Sequence, residues 1–242
     1  MFTDEECESA VSFECVISDF MEIIPEVEKW LEKPVETTIE DSIERSVQLS
    51  KELQKLMQSD SADKKVIGSL IGRVKSTQKN LQSLELADWV SIDKGFLAIG
   101  HRPSAKLVSD LKLQNTTHLL TLLSENEGSR DTKILSDKSG IGWLWFPMQS
   151  AGFPTEDRHQ ELVNLFKQMD NILHNGGKIY IHCSAGIHRT GMITFAFLRF
   201  IGLSKEEAET KLAELRPTTS EGVGEDRMEW GNSALTQLKS LD

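Results

Sequence analysis

Gly177-Lys178-Ile179-Tyr180-Ile181, His182-Cys183-Ser184-Ala185-Gly186-Ile187-His188-Arg189-Thr190-Gly191 and Met192-Ile193-Thr194-Phe195-Ala196-Phe197-Leu198 follow one another without a break. The first segment is β-branched and aromatic and reads as a buried strand. The third is apolar and long enough to run on as a buried helix. Between them lies a loop of mostly small residues. Strand, small-residue loop and helix in succession make an anion-binding device. The loop's N–H groups turn inward, and the N-terminus of the helix adds partial positive charge.

A cysteine at the mouth of such a loop has its thiolate stabilised, since thiol pKa values fall to roughly 3.5–7.5 at helix N-termini and beside cations. Arg189 follows Cys183 by six positions, where loop turns into helix. Its planar fork holds two oxygens of a tetrahedral oxyanion at once. Thr190 offers a hydroxyl to the sulfur, and the amides from Ser184 through Ala185, Gly186, Ile187 and His188 to Arg189 form the cradle. The set suits nucleophilic attack on phosphorus, with a thiophosphate hydrolysed in a second step. A zinc reading of His182, Cys183 and His188 lacks the further ligands that a four-coordinate structural site needs. No metal or cofactor is expected.

The chain has 242 residues, 38% of them hydrophobic, enough for one α/β domain and a smaller module. A formal net charge of −11 argues against general nucleic-acid binding and against a basic membrane-surface role. The apolar run Met192 to Leu198 is far short of the ~20 residues a membrane-spanning helix needs. The start of the chain is acidic and does not read as a secretory signal. Three cysteines make no disulfide framework, and Cys7 and Cys15 read as apolar fillers, so a reducing, cytoplasmic setting is expected.

Residues 1–87 hold no strand signal. Phe13, Val16, Ile17, Phe20, Ile23 and Ile24 recur at helical spacing, as do Ile43, Val47, Leu49, Leu53 and Leu56, then Val66, Leu70, Val74, Leu81 and Leu84. Pro25, Pro34 and Ser59-Asp60-Ser61 read as breaks, giving two or three amphipathic helices. The first 44 residues carry 14 acids against 2 bases. That imbalance fits a helical extension exposing its charge to water, or an acidic docking module for a protein partner.

The remainder, 88–242, alternates strands and helices. Trp89–Asp93 and Phe96–Gly100 read as a hairpin, Ser104 caps a helix over Ala105–Leu113, and His118–Leu123 is a core strand. Ser124–Gly140 reads as a polar loop, Trp143–Met148 as a strand ending at Pro147, and about Glu156 to His174 as a helix. After the loop-bound helix, Ser204-Lys205-Glu206-Glu207 is a capping box, Arg216-Pro217 stops the helix it opens, and a last helix spans about Asp226 to Leu238. The pattern implies a mostly parallel central sheet flanked by helices, with its ligand crevice at the strand C-termini.

Cys183-x5-Arg189 followed by Thr190-Gly191 and preceded by His182 resembles the signature of the cysteine-dependent protein tyrosine and dual-specificity phosphatases. Gly95–Gly100 and Thr117–Leu123 resemble the opening strands of the dual-specificity fold, nearest to its small atypical members, including those that act on cyclin-dependent kinases. The resemblance implies a phosphatase acting on phosphotyrosine, phosphoserine or phosphothreonine in proteins through a cysteinyl-phosphate. Cys183 is then the nucleophile, Arg189 the oxyanion ligand and Thr190 the group that tunes the sulfur. It also implies an aspartate acid about 30 to 35 residues before the cysteine, where this chain has Ser150.

Three explanations stand open. Asp157, or Glu156 beside it, supplies the proton, although a carboxylate there also suits a helix N-terminus. Or the leaving group is acidic enough to need little help. Or the domain is a phospho-binding adaptor with weak or no turnover. A phosphatase of RNA 5′-triphosphate or inositol phosphates is a further alternative, disfavoured by the acidic chain and by a loop without lysine. His188 reads as a rim residue and His182 as a structural one. The sole tyrosine, Tyr180, sits in the strand and builds no deep slot, so a shallow cleft is expected. The residue that places the second-step water falls within Thr218–Arg227.

Overall fold

The computed structural model describes residues 23–36, 38–59, 63–149 and 152–241. The readings of Cys7, Cys15, Phe13, Val16, Ile17 and Phe20, of the break at Asp60-Ser61, and of Ser150 lie outside the described residues. The chain divides into two compact units between Leu84 and Glu85.

In the N-terminal unit, residues 23–32 are helical and run through Pro25, which therefore breaks nothing; Pro34 does lie beyond that run. Proline's fixed φ suits a helix. Helix α1 (Ile39–Met57) is capped by Thr38, which accepts from the Asp41 amide, and α2 (Lys64–Gln82) by Asp63, which accepts from the Lys65 and Val66 amides. Leu49, Leu53 and Leu56 pack with Ile67, Leu70 and Val74 into a separate apolar core. Val47, counted with the apolar stripe, is exposed, and Ser42, Ser46 and Ser50 occupy the buried line instead. Small side chains let a helix face lie close to its neighbour.

The second unit holds a five-stranded sheet in the order β1-β2-β5-β3-β4. The strands are β1 (Val90–Ile92), β2 (Gly95–Gly100), β3 (His118–Leu123), β4 (Gly142–Met148) and β5 (Lys178–His182). β1 is antiparallel to β2, and the other neighbours pair in parallel. The alternation of β5 sorts the two faces. Ile179 and Ile181 join the larger core, which includes Phe166, Phe195 and Phe197. Tyr180 packs on the opposite face with Leu107, Val108 and Leu111. Those three leucine and valine side chains belong to α3 (Ala105–Leu113), capped as expected by Ser104, whose hydroxyl accepts from the Leu107 amide.

Ser124–Gly140 is not a loop. It contains a 3-10 turn, Glu125–Glu127, and helix α4 (Ser129–Ser139), ended by Gly140 at φ 62°. The buried line of α4 is Ser129, Thr132 and Ser136, helical in spacing but polar, so a search for apolar periodicity passes over it. β4 runs one residue past Pro147. The register advances from Thr121↔Trp145 to Leu123↔Met148, a bulge in which a proline without an N–H is accommodated on an edge strand. A 3-10 turn, Glu156–Arg158, precedes α5 (His159–His174). α6 (His188–Phe200) follows the loop, and α7 (Lys205–Leu215) opens with the Ser204/Glu207 capping box.

Two C-terminal readings are corrected. Thr218–Arg227 is largely helical, since Pro217 opens α8 (Pro217–Gly222) at the position where its missing N–H costs nothing. The last helix is two, α9 (Glu225–Ser233) and α10 (Leu235–Ser240), meeting at Ala234.

Phe166 is fully buried, with ring centroids 5.6 Å from Phe197 and 5.4 Å from Phe200. Phe166→Ala is expected to destabilise this unit by about 3–5 kcal/mol in urea denaturation. Val66→Ala, at an exposed site, is expected to change stability by no more than about 0.5 kcal/mol.

Candidate active site

Parallel strands bring their C-terminal ends to one edge. β2, β5, β3 and β4 deliver Arg102, Cys183, Glu127 and Met148 there in turn. The loop Cys183–Ile187 is held from behind by its carbonyls. The Ser184 carbonyl accepts from the Arg102 amide at 2.9 Å. The Ala185 carbonyl accepts from Arg216 Nη1 at 3.1 Å, and that of Gly186 from Arg216 Nη1 at 3.0 Å and the Thr219 hydroxyl at 2.6 Å. With three successive carbonyls bound outward, the intervening N–H groups are left for the concave side. Gly186 has φ 72°, and a Cβ there would stand 2.2 Å from the Gly100 carbonyl, so only glycine fits.

Cys183 is buried, and its sulfur accepts from the Gly186 amide at 3.3 Å. Burial pushes its thiol pKa up. The hydroxyl and amide of Thr190, the Gly186 amide and the Arg189 charge more than offset this, and the net shift is downward. Ser184, Ala185 and His188 are exposed, while Arg189 and Thr190 are buried.

Arg189 is bound by a residue the sequence reading passed over. Its Nη1 donates to Glu127 Oε2 at 2.7 Å and its Nη2 to Glu127 Oε1 at 2.8 Å, while Nη1 also donates to the Met148 carbonyl at 2.9 Å. A guanidinium has five N–H groups. Those bonds occupy both on Nη1 and one on Nη2. The remaining two, on Nη2 and Nε, lie parallel along the other edge and fit two oxygens of a tetrahedral anion. Glu127 is held at a pKa of about 2, first by the Arg189 hydrogen bond; burial opposes this, and the Ser124 amide and hydroxyl assist. It is ionised throughout the working range and is no proton donor.

Behind the loop, Trp143 Nε1 donates to Thr121 Oγ1 at 2.9 Å, and Thr121 Oγ1 lies 2.9 Å from His182 Nε2. His182 Nδ1 lies 3.1 Å from the Cys183 carbonyl, which only accepts, so Nδ1 carries the proton and Nε2 accepts from Thr121. Burial first, then the neighbouring Arg102, His101 and Arg189 charges, hold His182 at a pKa of about 4, hence neutral, against the opposing bond to Cys183. His182 is structural, as expected.

Asp157 stands exposed in the 3-10 turn, and no hydrogen bond or ion pair joins it to a described residue of the loop. Its neighbour Arg158 donates to the Pro147 carbonyl, lies 4.1 Å over the Phe146 ring and pairs with Glu161, fixing the end of β4. Between Pro147 and Pro154, the described residues carry no carboxyl side chain. Tyr180 is buried and donates to the His101 carbonyl at 3.1 Å. Among the described residues no three His, Cys, Asp or Glu side chains gather as a metal would need.

Glu127, Arg102, Arg216 and Thr219 are the residues that sequence reasoning missed. Glu127 had a signal: Ser124-x-x-Glu127 directly after an apolar strand is a capping-box pattern, and the structure forms that box.

Residues 97–225, more than half of the chain, match the family model described as dual specificity phosphatase, catalytic domain. No curated protein matches the chain. Among solved structures, kinase associated phosphatase with its catalytic-site cysteine replaced by serine is 19% identical with a TM-score of 0.55, covering 66% of this chain and 98% of that one. A mutant form of Tk-PTP is 22% identical with a TM-score of 0.52, covering 63% and 97%. PTPMT1 in complex with PI(5)P is 20% identical with a TM-score of 0.51, covering 63% and 97%. At these identities the structures show the shared fold. The family match supplies the rest: this chain belongs to the dual specificity phosphatases and is a cysteine-based phosphatase.

Proposed function

We propose that the chain hydrolyses phosphate monoesters on proteins, at phosphotyrosine and at phosphoserine or phosphothreonine. The Cys183 thiolate attacks phosphorus. The S–P bond forms as the P–O bond to the side chain breaks, and the departing oxygen takes a proton from Asp157. Water then attacks the cysteinyl-phosphate and gives up a proton to the Asp157 carboxylate; the S–P bond breaks, phosphate leaves, and the thiolate and the Asp157 acid return. The amides of Ser184 to Arg189 and the free edge of Arg189 hold the equatorial oxygens. Thr190 stabilises the sulfur as it leaves. No metal takes part.

The observation that carries this reading is the outward bonding of the Ser184, Ala185 and Gly186 carbonyls beside an Arg189 that keeps two parallel donors in hand. Tyr180, turned into the sheet, walls no deep slot, which favours a cleft open to all three phosphoresidues. PTPMT1 was solved with PI(5)P, but the loop here carries no lysine, and nothing in the site favours a lipid over a protein.

The absence of a carboxyl from the described residues of 147–154 favours, as the second reading, a phospho-binding adaptor. The unpaired Cys183 thiol suits a reducing compartment, and we place the protein in the cytoplasm. Among the described residues no helix is long and apolar enough to cross a membrane. The acidic N-terminal unit, with its separate core, serves as a module for a protein partner.

Wild type is expected to release phosphate from para-nitrophenyl phosphate and phosphopeptides, and Cys183→Ser to fall to background while still binding phosphopeptide. Wild type that binds without turnover would select the adaptor. Asp157→Asn is expected to lower kcat on phosphoserine peptides by about 10²–10⁴-fold and to flatten the basic limb of the pH profile. An unchanged profile would remove Asp157 as the acid. The thiolate form of Cys183 is favoured, so its alkylation by iodoacetamide should persist as pH falls below the range where an ordinary thiol becomes unreactive. Thr190→Val should move that midpoint upward; a wild-type midpoint in the ordinary range would contradict the assignment.

A further inference from the structure

A groove of about 660 Å³ lies at the end of the sheet away from the phosphate loop. Its walls come from β1, α5 and α7, with Ile201 following α6. From Gly95, opposite Ile92, to Gly100, opposite His182, is five steps of strand, about 16 Å at 3.3 Å per residue. The groove is thus well separated from Cys183, and none of its lining residues enters the mechanism.

Three features of the groove point the same way. The first is backbone. β1 is an edge strand, and a two-residue turn at Asp93-Lys94 closes the hairpin on the pair Ile92↔Gly95. In such a hairpin the closing pair is hydrogen-bonded and the next pair, Ser91↔Phe96, is not. The Ser91 N–H and C=O therefore face away from the sheet, and neither joins a turn, loop or cap bond among the described residues. The second is apolar surface, with Ile92, Ile201 and Leu203 lining the groove. The third is charge. Asp93 pairs with His174, Glu207 is held in its capping box and Lys211 pairs with Glu214. Asp170 and Glu206 are exposed and form no ion pair among the described residues.

We propose that this groove docks an extended, basic segment of a protein partner. The segment adds to β1 through the Ser91 N–H and C=O, as a further strand does at an open edge. An aliphatic side chain enters between Ile201 and Leu203, and flanking lysines or arginines meet Asp170 and Glu206. Charge complementarity selects this occupant. The chain carries a net charge of −11, and residues 1–22 hold 7 acids and no base, so neither a second copy nor the chain's own start suits an acidic groove.

The test is fluorescence anisotropy of the full chain with a labelled eight-residue peptide that alternates lysine or arginine with valine or isoleucine. Saturable binding is expected, weakened at least tenfold by Asp170→Lys combined with Glu206→Lys. Glu225→Lys combined with Glu229→Lys, a reversal elsewhere on the surface, should leave affinity within about twofold. Ser91→Pro removes the outward N–H at a position where the β1–β2 ladder does not use it, and should also weaken binding. Turnover of para-nitrophenyl phosphate should be unchanged in the Asp170/Glu206 and Ser91 variants. No saturable binding, or equal loss in the Glu225/Glu229 control, would overturn the proposal. If Ser91→Pro misfolds, the two charge reversals decide the matter.

Discussion

Arg189 is already bonded through three of its five N–H groups before any ligand arrives. A bare arginine in a loop would sample many rotamers and lose that freedom on binding an anion. Here a carboxylate and a carbonyl take up the end and one side of the guanidinium, and the opposite edge is presented in a single orientation. Burial opposes the positive charge, and the Glu127 carboxylate and the Cys183 sulfur more than offset it, so the guanidinium pKa is shifted upward. Glu127, held ionised at a pKa of about 2, is an anchor rather than a reagent.

This anchor depends on topology. Glu127 follows β3, Met148 closes β4 and Arg189 begins α6 after β5, and the parallel pairing of those strands brings their ends together. The bulge at Pro147 sets Met148 one residue out of register, immediately where its carbonyl meets Arg189. From β2 comes the Arg102 amide that binds the Ser184 carbonyl, and from α8 the Thr219 hydroxyl that binds Gly186. The loop is therefore oriented by donors on its convex side. Its inward N–H groups cost no reorganisation when charge develops at phosphorus.

Much of this was legible in the chain. The alternation of Ile179 and Ile181 with Tyr180, the small residues after Cys183 and the apolar run to Leu198 announced strand, loop and helix. Ser104 and Ser204 announced two helix starts. What escaped was polar. Helix α4 buries Ser129, Thr132 and Ser136, so its periodicity carried no hydrophobic signal. Glu127 and Arg216 act through partners 62 and 30 residues away, and no local pattern states those distances in space. Arg216 was noticed only as the residue before a proline. The donor of the leaving-group proton remained the least legible part, because Asp157 suits a helix start as well as it suits an acid.

The most direct measurement is a double-substitution cycle on binding of inorganic tungstate, an unreactive tetrahedral anion, by calorimetry with Arg189→Lys, Glu127→Gln and both together. If Glu127 acts by holding the Arg189 fork, Glu127→Gln alone weakens binding about tenfold and adds almost nothing once Arg189 is lysine. Losses that simply add would contradict the dependence of the oxyanion site on the Arg189–Glu127 pair.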